Sequence, residues 1–439
     1  MGPEVIFYSL AILIALVLIG VHIGIALGVS SVLGVYLITN NLEIALSTLG
    51  TTAYESIRSH TLAVIPLFVL MGELISRSGA ATDLYMLCER ALRRLPGRLA
   101  VATVIGNTAF AAVSGVAIAS AATFSRIAYP EMQKLGYNRP YSLGVITGSA
   151  CLGMLIPPSI LMIIWAILTE GSVGALFIAG IIPGILLGFT FISYCVISAM
   201  LNPSIAPNAV ASQDAQVEKA AVRSEIFGSL GVLTLIIIVL GGLWGGVFTP
   251  TEAAGFGVLS SILIGAVKGM RRKDFMDAIY SAGRSTAPIM FLLIAGSLYA
   301  RLLAMSGGIN LVQDMFVGSG LSVIGMMLIM TVVWLLLGVL IDSISVALIT
   351  APIFFPIAAA AGFDQIAFAI YAILVIEAGL LTPPVGLLVF TVKAAIPDPT
   401  ITLGEIFKGA IPYWIMLLTV AMLILAFPEL ASWLPSKVF

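Results

Sequence analysis

The sequence predicts an all-α polytopic membrane protein made of two inverted structural repeats, each holding a re-entrant helical hairpin and a broken transmembrane helix. Three observations carry this reading. Of 439 residues, 60% are hydrophobic and only 9% are charged, with a mean hydropathy of +1.14. A soluble domain carries about 25% charge, so a water-soluble enzyme with a polar shell is excluded. Glycine, proline and Asx positions recur with a shift of 226 residues, and the basic residues crowd into one copy of that repeat.

Apolar runs cover residues 5 to 20, 21 to 38, 61 to 76, 99 to 125, 141 to 169, 173 to 201, 226 to 248, 253 to 267, 285 to 303, 321 to 361, 366 to 391 and 409 to 427. A crossing of a ~30 Å hydrocarbon core takes roughly 20 apolar residues, which gives room for about ten to fourteen segments. All read as helices, because a segment in lipid must close its own backbone hydrogen bonds and no alternating ten-residue pattern suggests a barrel. The first run lacks a basic flank and a small-residue exit, so it reads as a retained crossing. The polar stretch 202 to 225 reads as a solvated loop between halves. Thr249-Pro250-Thr251-Glu252 and Thr402-Leu403-Gly404-Glu405 fit capping boxes, the first with proline at the first helical position.

The shift of 226 residues lays Tyr129-Pro130 on Phe355-Pro356, Gly136-Tyr137 on Gly362-Phe363, Asn138 on Asp364, Gly153 on Gly379, and Pro157-Pro158 on Pro383-Pro384. One match would mean little in a glycine-rich membrane protein; several in register mark a duplication. Eight Lys or Arg lie between 77 and 139, and none lies from 302 to 392. Short basic loops stay cytoplasmic, so the first copy has its loops inside and the second has them outside. Inverted repeats of this kind build many secondary transporters. The chain divides into scaffold helices at 1–60, a first repeat at 61–201, a linker with scaffold helices at 202–284, and a second repeat at 285–439.

Segment 99–125 is basic on both flanks, so both ends belong in the cytoplasm and a single crossing cannot satisfy them. Ala112-Val113-Ser114-Gly115 is the expected tip of a hairpin. Its counterpart 321–361 would be ~60 Å long as one helix, twice the core, and folds back near Gly338 to Ser343. Broken helices follow at 141–169 and 366–391. Proline lacks an amide hydrogen, so Pro157 and Pro158 release the carbonyls of Gly153 and Met154, and Pro383 and Pro384 those of Gly379 and Leu380. Freed carbonyls deep in hydrocarbon need a partner. Two oxygen cages for a small hard cation follow: Ser114, Gly115, Gly148, Ser149 and Gly153 in the first copy; Asp342, Ser343, Thr382, Pro383, Val385 and Gly386 in the second. The competing reading of each is a kinked helix with Ser and Thr bonded to their own turn.

Helix N-termini at the tips favour a carboxylate near the midplane. Ser114, Ser159 and Ser345 are candidate substrate contacts there. Arg126 has two readings, a substrate-carboxylate partner or a cytoplasmic anchor. Asp342 either ligates the cation or caps the outgoing arm of its hairpin. Glu73 and Glu377 lie in apolar runs and serve either packing or proton exchange. Three scattered cysteines give no disulfide framework, and His22 and His60 lack ligand partners at metal spacing. No nucleophile-elbow, zinc-helix or P-loop motif occurs, and a net charge of -1 offers nothing to nucleic acid, so no enzymatic activity and no cofactor are expected.

Phe110 to Gly115, Ile127 to Met132 with Gly136-Tyr137, Gly153 to Ser159, Phe177 to Gly184, Phe248 to Ala254 and Gly379 to Gly386 together resemble the large membrane subunit of tripartite ATP-independent periplasmic (TRAP) transporters. The resemblance runs in order over essentially the whole chain. It departs after Ser114-Gly115, where Val116-Ala117-Ile118 replace further serines, so backbone oxygens carry more of the first cage. It implies sodium-driven import of an organic anion across the bacterial inner membrane by an elevator-type fold, with Na+ as coupling ion. Implied substrates are carboxylates such as a C4-dicarboxylate, sialic acid or a sugar acid. Implied partners are a small four-helix membrane subunit and a periplasmic substrate-binding protein, within the lipid bilayer. The alternatives are a cation/proton antiporter or an anion transporter of related fold that needs no binding protein.

Overall fold

The computed structural model describes residues 4–58, 60–207, 215–318 and 320–438, and among them every regular element is a helix. Seven helices are long and apolar enough to cross a membrane, or nine if two bent pairs each count as one span. The apolar runs outnumber these because several are short arms packed inside the protein. Helices that appear where no apolar run stood include Leu42–Arg58 and Ala80–Ala91. Both are amphipathic, so their helical period is diluted in any average of hydropathy.

The stretch 202–225 was expected to be loop. Residues 208–214 of it lie outside the described residues, and from Ala215 the chain is already in the helix Ala215–Trp244. Ala, Gln, Glu and Lys are strong helix formers, and polarity alone does not distinguish a polar helix from a loop. The run 285–303 belongs to one 35-residue helix, Arg272–Ser306, with Pro288 inside it. Both capping boxes are present: Thr249 and Glu252 at Pro250–Val267, and Thr402 and Glu405 at Leu403–Ala426.

In each of the two stretches expected to fold back, the chain forms two helices that meet at a non-helical turn and pack on one another. Arg98–Ser114 and Ala117–Lys134 meet at Gly115, which takes φ +64°, and Val116, which is extended. Gly106 lies against the Phe124 ring, Phe110 and Phe124 meet edge to face with ring centres 6.0 Å apart, and the Leu99 amide donates to Tyr137 Oη at 3.4 Å, so both ends of this hairpin lie together. The second hairpin is Val323–Leu340 with Ser343–Ala360, joined at extended Ile341 and Asp342. There Trp334 Nε1 donates to Thr350 Oγ1 at 2.8 Å and its ring meets Phe354 at 5.4 Å. The first tip sits one residue later than Ala112 to Gly115 suggested, because the helix continues through Ser114.

The first broken helix comprises Arg139–Ala150, Leu152–Leu155 and Ile160–Leu168, and the second Gln365–Gly379 and Leu387–Ala395. Starts at 98, 117, 139 and 160 become 324, 343, 365 and 386 on the 226-residue shift, against observed starts at 323, 343, 365 and 387. The loops before them match too: Gly136 and Gly362 have φ +74° and +76°, and Asn138 and Asp364 both cap the next helix. In both copies the Pro–Pro peptide is cis.

Packing groups the helices into two sets, which also meet where Val64–Ser78 and Ala80–Ala91 pack on Arg98–Ser114 and Arg272–Ser306 packs on Ser343–Ala360. The outer set holds Val5–Leu18, Ile23–Thr39, Leu42–Arg58, Val64–Ser78, Ala80–Ala91, Ala215–Trp244, Pro250–Val267 and Arg272–Ser306. The inner set holds both hairpins, both broken helices and Leu403–Ala426. Inside it Gly144 and Gly409 bring two backbones together so closely that a methyl on either would strike the other chain. Without a hydrophobic drive between helices in lipid, such small-residue contacts are a main source of cohesion.

Candidate functional site

A cavity of about 800 Å³ lies between the two sets. Its inner wall carries both hairpin tips, Ser114 and Val116 from one and Asp342, Ser343 and Ile344 from the other, with Met154 of the first broken helix and Arg126. Its outer wall carries Glu73, Ser76 and Arg77 of Val64–Ser78 and Ser281, Ser285 and Pro288 of Arg272–Ser306. Where the walls meet, the tip backbone at Ser114 presses on Gly72 so that a Cβ there would approach Ser114 Cα to 2.8 Å.

Charge on these walls is uneven. Arg77 is committed to Glu73 at 3.3 Å, Asp277 at 3.9 Å and Ser281 at 2.8 Å. Arg126 is exposed to the cavity and has no ion pair among the described residues. Arg126 lines the same cavity as both tips. Asp342 takes the capping role: Oδ1 accepts from the amides of Ile344 and Ser345, each at 3.1 Å, and Oδ2 accepts from Ser345 Oγ at 2.5 Å. Ser345 therefore serves the cap.

The first cage is brought together around the first tip. The Gly115 carbonyl accepts from the Ile160 amide at 3.2 Å, tying the tip to the second half of the broken helix. Gly153 packs against Val116 and Ala117. Ser159 caps Ile160–Leu168 and donates to the Met154 carbonyl at 2.6 Å, so one of the two carbonyls released by the prolines is already satisfied. Ser149 Oγ donates to the Val145 carbonyl and accepts from Asn107 Nδ2 at 2.6 Å, while Gly148 faces the Tyr413 ring. Ser114 Oγ is buried with no hydrogen-bond partner among the described residues.

The second cage is spread further. Thr382 Oγ1 donates to the Ala378 carbonyl and accepts from Trp414 Nε1, each at 2.9 Å, and its amide takes the Gly379 carbonyl. Pro383 and Val385 are exposed, and Gly386 at φ +59° packs against Phe407. None of these four lines the cavity, whereas Asp342 and Ser343 do. Ser343 Oγ donates instead to Glu377 Oε1 at 2.8 Å. The sequence left Glu377 between packing and proton exchange; the turn between the two helices at Asp342 brings Ser343 to it. No group of three or more His, Cys, Asp or Glu that would hold a metal occurs among the described residues. The donors offered are hydroxyl, carbonyl and carboxylate oxygens, which fit a hard monovalent cation.

A sequence profile described as the DctM component of the tripartite ATP-independent periplasmic transporter matches residues 10–430. Similar proteins include the C4-dicarboxylate TRAP transporter large permease protein of Pseudomonas aeruginosa, 33% identical over 94% of each chain. The ectoine TRAP transporter large permease protein of Halomonas elongata is 31% identical over 98% of each. The sialic acid TRAP transporter large permease protein of Vibrio cholerae is 28% identical over 86% of this chain and 87% of that one. Among solved structures, the crystal structure of the Alcanivorax borkumensis YdaH transporter shares the fold at a TM-score of 0.57, with 14% identity over 89% of each chain.

Proposed function

Because the chain belongs to the DctM-component family of tripartite ATP-independent periplasmic transporters and is thus a multi-pass TRAP large permease subunit, we propose that it moves an organic anion inward through the cavity between its two helix sets, driven by sodium. The observation that carries this reading is the composition of that cavity. Among the described residues it offers one guanidinium without an ion pair, Arg126, in the same cavity as two hairpin tips whose buried oxygens suit a cation. An anion and a sodium ion held side by side lower each other's desolvation cost, the physical basis of symport.

The division into outer and inner sets supports an elevator in which hairpins and broken helices move as a unit against the scaffold, the hairpins entering from opposite membrane faces. Relatives are named for C4-dicarboxylate, sialic acid and ectoine, each bearing a carboxylate, and this is the substrate class for Arg126. A small membrane subunit and a periplasmic binding protein complete the transporter in the bacterial inner membrane. The test is uptake into proteoliposomes holding the chain with its small subunit. Uptake should require both an inward sodium gradient and added binding protein. Flux that follows the pH gradient and ignores binding protein would transfer the chain to the antiporter reading.

A further inference from the structure

Ala80–Ala91 is the short helix through which the chain passes from the outer set to the first hairpin. On one side it is bonded to outer helices at two places. Arg90 meets Glu225 of Ala215–Trp244, with Nε 2.7 Å from Oε2 and Nη2 donating to Oε1 at 3.1 Å. Asp83 pairs with Lys268 at the end of Pro250–Val267, over Gly228, where any side chain would strike the Asp83 carboxylate. On its other side the helix meets the hairpin through an ion pair, Glu89 Oε1 to Arg98 Nε at 3.1 Å, and through the Tyr85 ring, edge-on to Phe124 at 6.3 Å. Arg98 is the first residue of the hairpin and is buried. Between the two helices, residues 92–97 are not helical, and Gly97 takes φ +68°.

The matching connection in the second copy, Gly308–Gly318, also follows a left-handed glycine, Gly307 at φ +67° against Gly79 at +78°. Its one charged side chain, Asp314, is exposed and has no ion pair among the described residues. Charge therefore fastens the first connection and leaves the second to apolar packing. An apolar face can exchange protein for lipid at little cost, whereas a buried ion pair resists parting until both charges are rehydrated. The Arg90 and Asp83 pairs join elements of one set; the Glu89–Arg98 pair crosses the boundary between the sets. We propose that Glu89–Arg98 is a latch holding the inner set where this structure shows it. Arg90–Glu225 and Asp83–Lys268 are fixed bolts that keep Ala80–Ala91 with the outer set while the hairpin parts from it at 92–97.

The latch presupposes that the inner set moves, so it rests on the elevator reading, and the experiment separates the two. Lys134→Cys and Lys273→Cys, exposed positions on the inner and outer sets, carry spin labels in protein with Cys88→Ala. Distances are measured by double electron–electron resonance on the permease with its small subunit in lipid nanodiscs, with and without sodium and a C4-dicarboxylate. The wild type should show two distance populations. Glu89→Gln leaves the buried Arg98 charge without Glu89 and should shift their ratio about tenfold away from the present arrangement. Glu89→Gln with Arg98→Gln should shift it no further than either single variant, since one pair is lost once. Arg90→Gln should lower the melting temperature and leave the ratio unchanged. Two wild-type populations with an unchanged ratio in Glu89→Gln overturn the latch and leave the elevator standing. An equal shift in Arg90→Gln overturns the division into latch and bolts, and a single wild-type distance under all conditions overturns elevator and latch together. If Glu89→Gln does not fold, Glu89→Asp decides: it draws the charge back by one methylene and should shift the ratio about threefold; an unchanged ratio there overturns the proposal.

Discussion

Replacing Arg126 with alanine removes a cavity-facing guanidinium that has no ion pair among the described residues. A guanidinium on a carboxylate makes charge-assisted hydrogen bonds worth about 1.5–3 kcal/mol. Arg126 is exposed to a water-accessible cavity, so screening favours the lower part of that range, about 2 kcal/mol. At ~1.4 kcal/mol per decade this is roughly thirtyfold in half-saturating substrate. The assay is the initial rate of uptake of a radiolabelled C4-dicarboxylate into proteoliposomes at saturating sodium, over a range of substrate concentrations. Arg126→Lys keeps the charge but loses the two-pronged geometry, and should fall about fivefold short of wild type. Lys134→Ala, a surface lysine bonded to Glu131, should leave the curve unchanged. Unaltered half-saturation in Arg126→Ala, at equal protein in the membrane, would refute the placement of substrate in this cavity.

Gly115→Ala should cost about 1–2 kcal/mol for a left-handed non-glycine residue, and more because the new Cβ would come 2.5 Å from the Pro158 carbonyl oxygen. Thermal unfolding and uptake should both drop, and a variant as stable as wild type would contradict the tip geometry. Thr402→Ala should destabilise by about 1 kcal/mol through loss of the capping box, read as a lowered melting temperature with an unchanged sodium requirement. Single cysteines at Lys134 and Ala360, exposed positions related by the 226-residue shift, should react with an impermeant reagent from opposite faces of the membrane; labelling from one face would remove the inversion.

The hairpins show how far local sequence reaches. Their existence follows from length and charge: a ~60 Å apolar stretch cannot stand straight in a ~30 Å core, and basic residues on both flanks of 99–125 cannot lie on opposite sides. Their turning points were legible to within a residue or two, since Gly115 and Asp342 are residues that end or cap helices. Leu42–Arg58 and Ala80–Ala91 escaped because half of each surface is polar, which hydropathy averages away. Glu252 and Glu405 were readable as caps because a capping box is complete within four residues.

By itself, the sequence determined the membrane class, the duplication and the positions of the proline breaks, all of which are written in neighbouring residues or in a fixed spacing. Only the tertiary structure decided which oxygens are already spoken for. Ser149 turned out to be engaged by Asn107, Thr382 by Trp414 and Asp342 by its own helix, while Ser114 Oγ and Glu377 Oε2 were left without partners. Whether a lone pair is free depends on donors brought from distant parts of the chain, 42 residues away for Ser149 and 34 for Glu377. Each hydrogen bond takes up part of the capacity of the group that accepts it, and how much is left cannot be worked out until the chain has closed on itself.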